Sequence, residues 1–243
     1  GSEASSAEEW ASGGGSIVNN GNGTWTYTPA ANYSGPVSFS YTASDGSLSS
    51  ISTASLVISP VNDAPTATNL STAETYTQDT PLNLVDIVVS DVDSATVTAT
   101  LTLSNPAAGS LNTATSGAVT STYNAATGVW TASGAIADVN ALLAGLTLTP
   151  AATFNGSFSI ATSVSDGVAP ALTGSKAFTG IAVNDAPVAT PVTLAAGNED
   201  TAYTITAATL LAGVTDIDGP TLSITSAMST TASVALAVAG PSS

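Results

Sequence analysis

Short stretches of the chain alternate with a period of two. Thr24-Trp25-Thr26-Tyr27-Thr28, Val37-Ser38-Phe39-Ser40-Tyr41 and Phe158-Ser159-Ile160-Ala161-Thr162 carry this pattern, the signature of half-buried strands. Asn-Gly, Asp-Gly and Pro punctuate the intervals, so the chain reverses often and an antiparallel β-sandwich is predicted. One segment departs from this pattern. Ile136 to Leu146 carries Val139, Leu142 and Leu143 at helical spacing, and Asp138 is the expected cap of a short helix.

Composition strengthens the β reading and removes whole classes of function. Thr and Val are stiff at χ1 and suit a pleated surface. The 243 residues include one basic side chain, Lys176, against 17 acidic ones, with no His and no Cys. Ser-His-Asp and Cys-His nucleophiles, Cys/His zinc sites and disulfides are therefore excluded. A chain of net charge −16 cannot neutralise a phosphate backbone, so nucleic acid is not an expected partner. The apolar run Val234 to Gly240 is far short of the roughly 20 residues of a membrane span, so no membrane insertion is expected. No signal-peptide pattern opens the chain, and the expectation is that a leader has been removed. Lys176 reads as a solvated strand residue, and Trp25, Tyr27, Phe39 and Tyr41 as core or cross-strand packing.

Internal repetition is the strongest signal. Val61-Asn62-Asp63-Ala64-Pro65 returns 122 residues later as Val183-Asn184-Asp185-Ala186-Pro187. Upstream, Thr28-Pro29-Ala30-Ala31-Asn32-Tyr33-Ser34-Gly35 matches Thr149-Pro150-Ala151-Ala152-Thr153-Phe154-Asn155-Gly156, and Ser44-Asp45-Gly46 matches Ser165-Asp166-Gly167, both at an offset of 121. Downstream, Gln78-Asp79-Thr80 pairs with Glu199-Asp200-Thr201, and Asp91-Val92-Asp93 with Asp216-Ile217-Asp218.

These landmarks resemble the cadherin-like tandem repeats of large bacterial calcium-dependent surface adhesins. The resemblance covers roughly residues 11 to 226. It rests on the Thr-Pro-Ala-Ala-Asn-Tyr-x-Gly run, the Ser-Asp-Gly turn, the Asn-Asp-Ala-Pro linker, the Glu-Asp-Thr start and the Asp-x-Asp-Gly turn. The expected fold is all-β: tandem antiparallel cadherin-like or immunoglobulin-like β-sandwiches. Residues 66–187 hold every landmark once and read as a complete domain. Residues 1–65 carry only second-half landmarks, with 1–10 an extension or tag, and 188–243 only first-half ones. The chain is thus expected to be one whole domain flanked by two complementary half domains, with 227–243 a candidate donor strand.

Eleven of the 17 acidic residues sit in the repeated landmarks. Without cationic partners, clustered carboxylates repel unless a hard cation neutralises them, and Ca2+ suits mixed Asp, Asn and carbonyl donors. In an immunoglobulin-like topology the B–C and F–G loops meet the incoming linker. That places Asn62, Asp63, Asp91, Asp93 and Asp166 in one candidate calcium cluster. Asn184, Asp185, Asp216, Asp218 and Asp45 form the equivalent second one. Asp79, Glu199 and Asp200 are weaker candidates, expected at the opposite pole. The rival reading is that each Asp only closes its own turn. The resemblance implies that the cation stiffens joints between consecutive domains.

The functional expectation is a secreted, extracellular, non-enzymatic calcium-binding structural or adhesive protein. Its halves would pair head to tail between copies into a filament, with Asp45 of one subunit joining Asp185, Asp216 and Asp218 of another. Two alternatives stand beside it. One is a passive extender fragment of an adhesin, whose partners are neighbouring repeats. The other is a carbohydrate-binding module for surface glycans, which requires a flat exposed row of aromatic rings.

Overall fold

A computed structural model describes residues 11–12, 14–219 and 221–227; Ser233 to Val238, the core of the candidate donor strand, and the extension 1–10 lie outside them. The first segment contains β1 (Ala11–Ser12), the hairpin of β2 (Gly15–Asn19) and β3 (Trp25–Pro29), and the long pair β4 (Gly35–Ser44) and β5 (Ser49–Ile58). Sequence alternation located β3 and β4 to within a few residues. Tyr27 and Phe39 meet edge to face at 5.1 Å, whereas Trp25 and Tyr41 remain about half exposed.

Residues 66–187 build a two-sheet sandwich. Its strands are β6 (Thr66–Ala67), β7 (Glu74–Thr77), β8 (Leu82–Asn83), β9 (Val89–Ser90), β10 (Thr96–Leu103), β11 (Gly109–Leu111), β12 (Thr115–Ser116), β13 (Val119–Thr120), β14 (Thr122–Asn124) and β15 (Val129–Ala135). After α1 (Ile136–Ala144) come β16 (Thr147–Pro150), β17 (Phe158–Ser165) and β18 (Leu172–Ile181). One main sheet has the order β14-β15-β10-β17-β18-β7, the other β11-β16-β8, and β6-β9 and β12-β13 form separate two-stranded ribbons. All neighbours in both are antiparallel except β7, which joins β18 in parallel with Glu74 opposite Phe178.

Period-two burial produces the core. In β10, Val97, Ala99, Leu101 and Leu103 point inward, while the Thr residues between them face out. They pack with Trp130, Ile160, Leu148 and Phe178 in one cluster, whose members run from Leu70 to Phe178. The Trp130 indole donates to the Asn112 carbonyl at 3.0 Å, which satisfies its N–H in an otherwise apolar setting. Helix α1 contributes Val139, Leu142 and Leu143, and Gly145 ends it.

Two expectations need correction. Asp138 does not cap α1: Ala135 occupies the N-cap without a side-chain hydrogen bond, and Asp138 accepts instead from the Ser116 hydroxyl at 3.2 Å. Lys176 is not solvated but has no exposed surface. Its Nζ lies 2.9 Å from Glu74 Oε1 and donates to the carbonyls of Asn69 and Val85 at 3.1 and 3.3 Å. The cause is register. Lys176 falls between Gly174 and Phe178 on the inward face of β18, and β7 supplies the counter-ion.

The last segment holds β19 (Val188–Ala189), α2 (Ala207–Leu211) and β20 (Val214–Thr215). β19 pairs with β20 as β6 pairs with β9. The Thr68 N–H donates to Val88 and the Thr190 N–H to Gly213 at matching places. None of this segment's described residues is fully buried.

Candidate functional site

Each predicted cluster starts from turn chemistry. Short Asp and Asn side chains accept hydrogen bonds from backbone N–H groups two or three residues on, and so shape the turns they occupy. Asp91 Oδ1 accepts from the N–H groups of Asp93 and Ser94 at 3.1 and 2.8 Å. Asp166 Oδ1 accepts from Val168 and Ala169, both at 2.9 Å. The Asp166 turn leaves its second carboxylate oxygen to a partner outside the loop.

The first five predicted residues come together at one end of the sandwich. Asn62 Nδ2 donates to Asp166 Oδ2 at 2.7 Å and to the Asp63 carbonyl at 2.9 Å. The Asp63 N–H donates to Asp93 Oδ2 at 3.0 Å. The linker is thereby tied to both turns. The Asn62 amide first, and then the Val168 and Ala169 N–H groups, hold Asp166 below the usual carboxylate range. Asp91 is lowered by its bond from Ser94, while the negative charge of Asp166 pushes the other way. Asp91 Oδ2 is buried without a hydrogen-bond partner.

The second set is brought together only in part. Asn184 Nδ2 donates to the Asp185 carbonyl, the Asp185 N–H to Asp218 Oδ2, and the Asp218 N–H to Asp216 Oδ1. All three repeat contacts of the first set at equivalent positions. Asp45 is not with them. It closes its own turn, accepting from Ser47 and Leu48 at 2.9 and 2.8 Å, and those bonds lower its pKa. Both Asp45 and Asp166 therefore carry the turn contacts of their kind, but only Asp166 meets a linker asparagine.

Of the weaker candidates, Asp79 has φ 57° and accepts from the Thr153 N–H at 2.9 Å. Asp200 repeats the left-handed backbone with φ 60°. Glu199 accepts a hydroxyl from Thr201 on its carbonyl. These residues shape loops and join neither set. Sequence reasoning missed Gln78, which is buried. Its Nε2 donates to Asp185 Oδ2 at 2.7 Å, and its Oε1 accepts from Asn155 at 2.9 Å. Its place beside Asp79 in a landmark was a usable signal.

The donors at both corners are oxygens of Asp and Asn, a set suited to a hard cation and unsuited to soft metals. The partnerless Asp91 Oδ2 beside a second carboxylate fits such an ion. Among the described residues, no group of three or more His, Cys, Asp or Glu side chains is gathered as a metal cluster.

The fold and these linker corners define a β-sandwich protein of the immunoglobulin-like and cadherin-like class. A family described as the cadherin-like domain matches residues 4–59 and 183–241. These flanking segments are thus similar to cadherin-like domains. No curated protein matches the chain. Solved structures similar to it include a protocadherin gammaB7 EC3-6 cis-dimer, at 16% identity and TM-score 0.37 over 78% of this chain and 44% of that one. The human desmocollin-1 ectodomain matches at 11% identity and TM-score 0.28, over 65% and 29%. A chimeric titin Z1Z2 matches at 14% and 0.26, over 60% of each chain. The chain thus spans 60% or less of the length of these three structures. Among the described residues no helix is long and apolar enough to cross a membrane.

Proposed function

We propose that the chain is a secreted, calcium-binding structural or adhesive protein that assembles head to tail by half-domain complementation into an extracellular filament. One observation carries the reading. The corner of Asn184, Asp185, Asp216 and Asp218 repeats three bonds of the complete corner at equivalent positions, yet the Asp45 turn it requires stands elsewhere in the chain. A second copy supplies that turn. Calcium binds where Asn62, Asp63, Asp91, Asp93 and Asp166 converge, and again where Asp45 of one copy meets Asn184, Asp185, Asp216 and Asp218 of the next. At both places it neutralises carboxylates that have no basic residue among the corner side chains. The contact is heterologous, so it propagates without closing.

The alternative is a passive extender, in which a neighbouring repeat of a longer adhesin completes each half. It draws on the same corner geometry, and only the source of the missing turn differs. For a glycan-binding module the edge-to-face packing of Tyr27 on Phe39, with planes at 77°, is unfavourable, because stacking on a sugar needs coplanar exposed rings.

Negative-stain electron microscopy in millimolar calcium, with a chelator control, separates these readings. Filaments that dissolve on chelation are the expected result. Monomers in both conditions would leave the extender reading.

A further inference from the structure

The complete domain serves as a template for the open one, position by position. Strands β17 and β18 pair with Val164 opposite Leu172. Strands β4 and β5 pair with Ser44 opposite Ser49. Aligning the Ser-Asp-Gly turns sets Val37, Phe39 and Tyr41 against Phe158, Ile160 and Thr162. It sets Ser52, Ala54 and Leu56 against Gly174, Lys176 and Phe178. The template residues Thr162 and Phe178 are 2% and 1% exposed, while Tyr41 and Leu56 are 47% and 38% exposed. In the template this face is covered by Leu70, Glu74 and Tyr76, and the outer edge of β18 is taken by β7. Among the described residues, the outer edge of β5 has no neighbouring strand.

The buried ion pair gives an independent constraint on what fills the gap. Lys176 corresponds to Ala54. Glu74 corresponds to Ala195 when counted back from the Gln78–Glu199 landmark, and to Ala196 when counted forward from the linker; it is alanine either way. A buried lysine or glutamate left alone is strongly destabilising, so such partners are replaced together when they face one another. Here both are replaced, in segments about 140 residues apart. That joint loss is expected if residues 195–196 pack on Ala54. Neither side of the proposed contact then carries a charge that would be stranded in its core.

The two segments do not reach each other within one copy. The first meets the sandwich at the Asp63–Asp93 end, and the second at the Gln78–Asp185 end. These ends are separated by the eight residues of β17, about 26 Å at roughly 3.3 Å per residue.

The geometry points to a specific docking surface: the free edge and inward face of β5 receive residues 188–218 of a second copy, with residues 195–198 added as a parallel strand. The register places Ala195 opposite Leu56 and Gly197 opposite Ile58, as Glu74 stands opposite Phe178 and Tyr76 opposite Gly180. Val192, placed by the linker offset of 122 that holds up to the one-residue deletion before the strand, lies over Ser52, as Leu70 lies over Gly174. Main-chain hydrogen bonds supply affinity and the alternating side chains supply register. An open ten-residue strand edge is otherwise an aggregation template. This inference rests on the complementation reading above and adds its surface, partner segment and register.

The chain has no cysteine, which makes a cross-linking test free of background. A Cβ built on Gly174 would lie 2.7 Å from the Leu70 Cβ, so the equivalent Ser52 and Val192 are immediate neighbours, and the separation of about 1 Å that a Cβ at Ser52 imposes brings the pair to the roughly 3.8 Å of a disulfide. Full-length S52C and V192C, mixed in calcium and oxidised, should give a covalent dimer that neither variant gives alone. T53C, on the opposite face of β5, should not link to V192C. Assembly of the unmodified chain is followed in parallel by sedimentation. Sedimenting polymers with no 52–192 link, or equal linking by T53C, overturn this register while leaving filament assembly standing. An S52C homodimer as abundant as the mixed one overturns it in favour of face-to-face pairing. Failure of the unmodified chain to assemble overturns the complementation reading and this inference with it.

Discussion

Removing the Lys176 ammonium alone should be among the most damaging single changes to the central sandwich. In Lys176→Met the side chain keeps its length and apolar stem, so packing on β18 is largely retained. What changes is Glu74, whose Oε1 loses the cation at 2.9 Å while its Oε2 keeps only the Val85 N–H at 3.0 Å. The carbonyls of Asn69 and Val85 also lose their donor. Leaving one partner of a buried pair uncompensated costs about 3–5 kcal/mol. For a unit of this size that lowers the melting temperature by roughly 10 °C or more. Glu74→Leu should destabilise from the other side, by leaving the Lys176 ammonium without its carboxylate. The double replacement K176M/E74L removes both charges together and should recover most of the loss, since apolar substitutes for buried pairs are often neutral or better. Urea unfolding followed by Trp130 fluorescence, with the four proteins in a double-mutant cycle, measures the coupling. If the single variants fall within about 0.5 kcal/mol of the parent, the level expected of ordinary surface changes, the claim that this pair is buried and mutually dependent is refuted.

Two further outcomes follow from the same geometry. Gly180→Ala places a Cβ 2.3 Å from the Asn155 carbonyl oxygen and 2.8 Å from the Tyr76 hydroxyl; backbone must shift, and a loss of about 1–3 kcal/mol is expected in thermal unfolding. Asp166 is held below its ordinary 3.8 by the Asn62 amide and the Val168 N–H. A depressed carboxylate stabilises the fold above its unfolded pKa, and that contribution fades as pH falls below about 4 through the folded value. Asn62→Ala should therefore raise the Asp166 pKa in a carboxyl NMR titration and shift the onset of acid unfolding upward; an unchanged titration would contradict the Asn62–Asp166 bond.

Much of the architecture was legible in the residues themselves. Alternation in Val37–Tyr41 and Phe158–Thr162 is a local property, set by side chains leaving a strand on opposite faces. The landmark turns were equally visible, because Asp and Asn shape their own backbone within two or three residues. Asp45 and Asp166 close near-identical turns although they lie in differently packed surroundings. Repetition then linked distant landmarks, and the convergence of Asn62, Asp63, Asp91, Asp93 and Asp166 followed from a sandwich's alternation of loop ends.

Other features depended on which face of which strand met which neighbour. Lys176 looked like a solvated charge, because a charge run or a lone lysine carries no local mark of inwardness. Only the parallel docking of β7 on β18 brings Glu74 to it across 102 residues. Gln78 likewise gained its role from the return of the chain at Asn155 and Asp185, and Asp138 lost its capping role because α1 begins one turn earlier than its position suggested. Sequence determined the elements, the turns and their duplication, since those are fixed by neighbours along the chain. Tertiary structure decided which carboxylates share a corner, which ion pair is buried and, among the described residues, which sheet edge has no neighbouring strand, since those depend on contacts between residues far apart in sequence.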